Sequence, residues 1–398
     1  MKIFQINITA NWGSHGRIAE QIGVLANEKG WESYIAYGRR ANLSKSQLIR
    51  IGSDWDERFH VVQTRLFDNH GLASVNATNN LIQNIKSISP DIIHLQNIHG
   101  YYLNYPLLFQ FLKEFNRPVV WTLHDCWSFT GHCAFFYGNG CYKWRNECDN
   151  CGFTKVYPAS LSDRSRRNFN LKKKYFTSLT NLTLIPVSEW LERYLKQSFL
   201  KEQRIQVIHN GVDINVFRPI ETKRDGNCVE LLGVANNWRM NKGLCDFIQL
   251  RNILPEKYHI TLIGVSKSEI KSLPDGIKGI ERTNNINELV RYYNKADIFV
   301  NPTYEDNFPT VNLEALACGT PVITYNETSG GPEAIDEETG VVVEHGNIEA
   351  LCDSITSLKN NGNITREKCR NRIVEHFTDI NCYQNYIKLY EELLNNES

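Results

Sequence analysis

The chain has no surplus of either charge, since its 44 lysines and arginines are matched by 44 aspartates and glutamates over 398 residues. That balance removes any global pull toward nucleic acid or acidic polymers, so attraction for an anion must be local. No apolar run is long enough to span a bilayer, and MKIFQINI at the start reads as a strand rather than a charged and apolar leader. A cytoplasmic setting is expected. GxGxxG and Walker sequences are missing, as are solenoid-length repeats and low-complexity segments. No DxD-type pair ends a strand in a way that would cage magnesium, and no open set of histidine and carboxylate ligands appears, so no catalytic metal is expected. The 11 cysteines, an odd number for a reducing compartment, argue against a full disulfide framework.

What is present is length and alternation. At this length one core is uncomfortable and two α/β domains are the natural expectation. KIFQINI, SYIAYG, DIIHLQ and PVVWTLHD alternate with helical stretches 16–29, 79–88 and 105–115, which is doubly wound order. A second series runs through ELLGVA, HITLIGV, DIFVNP and PVITY and ends in helices from Ile348 onward. Between the two, QVIHNGVDINVFRP carries a turn at Asn210 and Gly211 and reads as a linker, giving domains 1–217 and 218–380.

The densest segment is FVNPTYEDNFPTVNLEALACGTPVITYNETSGGPEAI, from Phe299 to Ile335. A buried parallel strand breaks at Pro302 into a polar loop with Glu305, Asp306 and Asn307. Pro309 suits the start of the next helix, Gly319 its end. Backbone donors around Phe308 and Thr310 then face the loop, and Glu314, on the same helical face as Thr310, can accept from diol hydroxyls. An ordinary βαβ unit with a solvated acidic turn is the plainer alternative.

This segment resembles the acidic signature of family 4 glycosyltransferases, retaining enzymes of the GT-B fold, in which two acidic residues flank seven others before an EA(L/M)A-x-GTPV run. Asp306 and Glu314 match the pair; Glu305 stands one place too early, and either it or Asp306 fills the first role. The resemblance spans nearly the whole chain. It implies two Rossmann-like doubly wound domains facing a cleft, with the last helix, 382–394, crossing back onto the first. It also implies a nucleotide-diphosphate sugar donor, UDP- or GDP-linked, and a glycan or polyprenyl-linked acceptor. In that scheme Glu314 holds the ribose diol, the Asp306 to Thr310 loop the sugar, and Lys242, before Gly243 in GVANNWRMNKGL, the diphosphate. Arg239, three residues before Lys242, is the candidate second cation. A nucleotide-sugar epimerase of the same fold, or a noncatalytic sugar-binding protein, stays open.

Several further residues lie just beyond apolar strands. Gly13 and Gly16, in NWGSHGRIAEQIG, either bring backbone amides to a phosphate or acceptor or merely ease a tight turn. His124, directly after VVWTL, should emerge where a neutral imidazole meets a sugar hydroxyl; the resemblance makes it a donor-sugar contact. His99 and Gly100 are acceptor-side candidates. Cys133, Cys141, Cys148 and Cys151, separated by seven, six and two residues, suit a structural zinc site, packed thiols or one local disulfide. WTLHDCWSFTGHCAFFYGNGCYKW resembles a narrower group of family 4 enzymes of bacterial exopolysaccharide and capsule synthesis. Finally, RSRRNFNLKKKYFTSL places six basic residues opposite Phe169, Leu171, Tyr175 and Phe176. It is either a solvated basic helix packed on the core or an interfacial helix at an anionic membrane, at the inner face of the cell membrane.

Overall fold

The computed structural model describes residues 1–136, 140–223, 226, 228–238, 240–327, 329–358 and 363–395. They form two compact units, one of residues 1–208 with the segment from Tyr383, the other of His209–Cys382.

The first unit holds seven parallel strands: β1 (Lys2–Ala10), β2 (Glu32–Ala41), β3 (Gln47–Arg50), β4 (Ile92–Leu95), β5 (Val119–Leu123), β6 (Leu182–Pro186) and β7 (Arg204–Ile205), in the order β3-β2-β1-β4-β5-β6-β7. β4, β5 and β6 are buried along their whole length, as expected of strands covered by helices on both faces. The chain starts in the middle of the sheet, works out to β3, then returns to the other side of β1. The order therefore reverses between β1 and β4, the place where open α/β sheets bind ligands beyond their carboxyl ends. Phe109, Trp121 and Phe176 pack the core, with Phe109 and Phe176 rings 4.6 Å apart.

The second unit repeats the plan with β8 (Val229–Val234), β9 (Tyr258–Ile263), β10 (Ile277–Ile280), β11 (Ile298–Asn301), β12 (Val322–Tyr325) and β13 (Gly340–Val343), all parallel, in the order β10-β9-β8-β11-β12-β13. Its order reverses between β8 and β11. Leu231, Phe247, Leu262, Val300 and Ile323 lie in its core.

The division at 208/209 falls before the boundary read from the sequence at 217/218. The physical reason is that the linker belongs to the second unit: Val212 donates to the Phe377 carbonyl, Arg370 holds the carbonyls of Ile214 and Phe217, and a Cβ on Gly211 would lie 2.4 Å from the Asp379 Cα. The last helix is Asp379–Asn395, and its later turns join the first unit. There Tyr390 Oη lies 2.6 Å from His94 Nδ1 and Thr122 Oγ1 donates to Tyr386 Oη over 3.0 Å. Two early helices start sooner than expected, at Gly13 and Val75. Helix Asp54–Phe67 has no counterpart in the sequence reading. Its signal was a capping box, Ser53 with Asp56, formed here by reciprocal bonds.

Candidate functional site

Candidate side chains gather at the carboxyl ends of strands in each unit. In the first, β1, β4 and β5 deliver five polar residues. His15 and His124 stack with centroids 4.4 Å apart, and His124 Nε2 lies 3.1 Å from Gln96 Oε1. Burial lowers the pKa of His15 to about 4 and takes His124 well below the ordinary histidine value, so both rings are neutral at pH 7. His99 Nε2 lies 2.7 Å from Asp125 Oδ2, and His99 Nδ1 3.0 Å from Tyr157 Oη. Burial would raise the Asp125 pKa, but the charge and hydrogen bond of His99 and the Trp127 amide hold it below the usual range. The stacked neutral rings and the imidazole oriented by Asp125 present hydrogen-bonding groups to a hydroxyl.

The glycines around this cluster do backbone work. Gly13 has φ +68°, a left-handed conformation that opens the helix after β1, and a Cβ on Gly16 would sit 2.7 Å from Thr9 Oγ1. Gly100, with φ +112°, donates its N–H to His70 Nε2 over 3.2 Å. Sequence reading singled out His124 and His99 but missed His15, Gln96 and Tyr157. Only the strand-end position of Gln96 offered a signal.

In the second unit the loops after β8 and β11 meet. Lys242 Nζ lies 2.5 Å from Asp306 Oδ2 and donates to the Glu305 carbonyl over 3.3 Å. Both side chains of this pair are about three-quarters buried. The two early acidic candidates thus separate: Asp306 faces the lysine, whereas Glu305 is only 5% exposed. Gly243, with φ +76°, permits the approach, because a Cβ there would fall 2.3 Å from the Pro302 carbonyl oxygen. Asp306 also bridges to Ser329, and the Gly330 amide bonds the carbonyls of Asp306 and Asn307, so the Gly330–Gly331 turn joins the same loop. Arg239 lies outside the described residues.

The helix after this loop is Thr310–Ala317, with Pro309 as its N-cap and Gly319 left-handed just beyond its end. Glu314 projects from it and accepts from Tyr293 Oη over 2.8 Å. Phe308 is a core residue, packed on His209 and Phe377. His209 Nε2 in turn lies 2.8 Å from Glu333 Oε2, a contact the sequence did not suggest. A cavity of about 380 Å³ in this unit lies elsewhere, at the amino ends of β8–β10, among Glu230, His259 and Lys278. It is remote from this edge and touches none of these groups.

The cysteine loop belongs to the first unit. Cys133 and Cys151 sulfurs are 3.9 Å apart, and Cys148 Sγ accepts from the Gly131 amide over 3.2 Å. The hydrogen bond from Cys133 lowers the Cys151 pKa, favouring one thiolate. Among the described residues no group of three or more histidine, cysteine or acidic side chains is disposed to hold a metal ion. Lys172, fully buried beneath the loop, donates to the carbonyls of Trp127 (2.6 Å) and Thr130 (3.0 Å) and lies 3.7 Å from the Trp127 ring centroid. Burial lowers it to about 7. It sits on helix Ser165–Phe176, where Phe169 and Phe176 face the core. The phenylalanines of this helix are therefore spent on packing, as the solvated, core-packed reading of it expects.

The family model for Glycosyltransferase Family 4 matches residues 18–216, and that for Glycosyl transferases group 1 matches residues 229–361. The chain is 24% identical over 371 residues to the putative colanic acid biosynthesis glycosyl transferase WcaC of Escherichia coli (strain K12), covering 86% of this chain and 90% of that protein. It is 23% identical over 279 residues to the Escherichia coli UDP-Gal:alpha-D-GlcNAc-diphosphoundecaprenol alpha-1,3-galactosyltransferase, covering 62% of this chain and 70% of the relative. A solved glycosyltransferase from Rickettsia africae ESF-5 superposes with a TM-score of 0.69 at 17% identity, covering 99% of each chain. With paired parallel sheets of the GT-B kind and a family match that takes in half its length, the chain belongs to glycosyltransferase family 4.

Proposed function

We propose that the protein transfers a sugar from a nucleotide-diphosphate sugar to a hydroxyl of a glycan or lipid-linked glycan in surface polysaccharide synthesis, with retention at the anomeric carbon. The observation that carries this reading is the placement of Lys242 against Asp306 at the reversal point of the second sheet, one short helix from Glu314. The polysaccharide setting rests on the named role of WcaC, and the donor and acceptor types on the printed name of the galactosyltransferase.

In this reading Lys242 and the helix start at Thr310 meet the negative charge that grows on the departing diphosphate, in place of a metal ion. Asp306 orients the lysine and borders the sugar. Glu314, aimed by Tyr293, accepts from the ribose diol. The neutral His124 ring contacts the donor sugar, and the His99–Asp125 pair orients an acceptor hydroxyl. Attack occurs on the face the leaving group departs from, and a diphosphate oxygen takes the acceptor proton. The enzyme works in the cytoplasm. We also propose that the four cysteines of the first unit bind a structural zinc once the thiolates are drawn together; metal analysis of protein purified without chelator, expected to give about one zinc per chain, checks it.

The reaction is tested by incubating the protein with UDP-, GDP- and dTDP-sugars and a polyprenyl-diphosphate sugar, in chelator, and solving the product by NMR. An α-linked donor should give an α-glycoside. A β product, or activity restored only by added magnesium, overturns the mechanism.

A further inference from the structure

Helix Asp54–Phe67 is built inside out. Trp55, Phe59, Val62 and Leu66 are 75%, 59%, 50% and 44% exposed. On a helix of 3.6 residues per turn these positions fall within about 60° of one another. The buried residues His60 and Thr64 lie on the opposite side and bind the domain, His60 through Ser74 Oγ and the Gly71 amide. The apolar stripe thus faces directly away from the unit that carries it. Leu161, 85% exposed, extends the patch at the end of the helix, where its amide donates to the Arg65 carbonyl and Ser162 Oγ to that of Leu66.

The charges around the stripe are sorted. Every acid of the helix is engaged: Asp54 pairs with Arg50, Glu57 with Arg39, and Asp56 closes the capping box. The cations are left over. Arg58 and Arg65 flank the stripe on one side, and Arg164 lies over the Phe67 ring; among the described residues no carboxylate forms an ion pair with the guanidinium of any of the three. Arg58 covers the Trp55 ring at 5.0 Å, so its charge stays beside the apolar row.

We propose that this face docks the enzyme onto an anionic lipid bilayer, with Trp55, Phe59, Val62, Leu66 and Leu161 in the acyl boundary and Arg58, Arg65 and Arg164 among the headgroups. A convex single-helix stripe with unpaired arginines beside it is complementary to a flat, negatively charged, apolar-cored surface. The same helix supports the acceptor-side cluster. Its inner His60 ring is 6.0 Å from Tyr101, and its Glu57 holds Arg39, whose guanidinium lies 5.2 Å from the Tyr101 ring, two residues from His99. The cluster at His99 thus lies on the inner side of the helix whose outer side meets the bilayer. This inference rests on the lipid-linked acceptor proposed above.

The test is flotation of the full chain with vesicles of phosphatidylethanolamine and phosphatidylglycerol, and with phosphatidylcholine vesicles in parallel. Binding is expected to the anionic vesicles. Trp55→Ser/Phe59→Ser should weaken it more than about tenfold, and Arg58→Gln/Arg65→Gln about 25-fold on anionic vesicles with little change on neutral ones. Both variants should keep the wild-type melting temperature and thermal shift with donor. No flotation of wild type, equal flotation of the variants, or a dimer that Trp55→Ser/Phe59→Ser dissociates would overturn the proposal. Transfer to a soluble acceptor without vesicle binding would sink the docking while leaving the function intact; vesicle binding with no transfer would do the reverse.

Discussion

The two units share one topology and solve opposite electrostatic problems with it. At the reversal point of the first sheet the groups are neutral rings, His15 on His124, and one imidazole held by Asp125. At the reversal point of the second they are charged, Lys242 on Asp306 with Glu314 a helix turn or two beyond. Strand order decides where chemistry is placed, and the residue types at those strand ends decide its kind. The packed surroundings of His15 and His124 push both rings to low pKa, so they meet a ligand as neutral hydrogen-bonding groups, whereas Lys242 and Asp306 meet it as an ion pair.

That contrast breaks most visibly in acid. His15, His60, His70, His94 and His124 all have pKa values pushed below 6.5 by burial, to about 4 in His15 and about 3 in His60 and His94. Between those values and 6.5 the unfolded chain binds protons that the folded chain refuses, so stability falls as pH drops through that window. His132 acts the other way, because Asp68 raises it against the effect of burial. Segment-resolved hydrogen exchange between pH 7 and 4 should show the first unit losing protection first. Equal loss in both units would erase the distinction.

Lys242→Ala removes the fixed charge and should cut turnover by about two to three decades, since one preorganised donor is worth roughly 2.7–4 kcal/mol in the transition state. Steady-state rates with saturating donor check it. Asp306→Ala should follow it, whereas Glu305→Ala should lose folding stability instead, its side chain being buried; melting curves beside rates tell the two apart. Glu314→Gln should weaken nucleotide binding by about one to two decades with the fold unchanged, measured by calorimetry. Asp125→Asn should give the smallest change, about tenfold, in acceptor KM with donor affinity untouched; a loss in donor affinity would take the His99–Asp125 pair off the acceptor.

The legible parts of this chain were those whose parts lie close in sequence. Asp306, Thr310 and Glu314 occupy one loop and one helix, and the two series of strands announced paired doubly wound sheets. The His15–His124 stack joins residues 109 positions apart, brought together only by the β1-β4-β5 order. No local pattern encodes it. Helix Asp54–Phe67 was passed over for a different reason: its apolar residues do recur with helical spacing, but they serve no core, and its inner side is polar. The basic helix left two readings open in sequence, and only the fold shows its phenylalanines spent on packing and Lys172 drawn inside by two carbonyls and an indole.

Gly243 sets a gauge between two loops that come from different strands. A single added carbon would meet the Pro302 carbonyl oxygen at 2.3 Å, so only a residue without a side chain leaves room for this approach. Lys242 and Asp306 hang on either side of that contact like the jaws of a caliper whose stop is bare backbone. Any larger residue at position 243 would push those two loops apart and with them the Lys242–Asp306 contact.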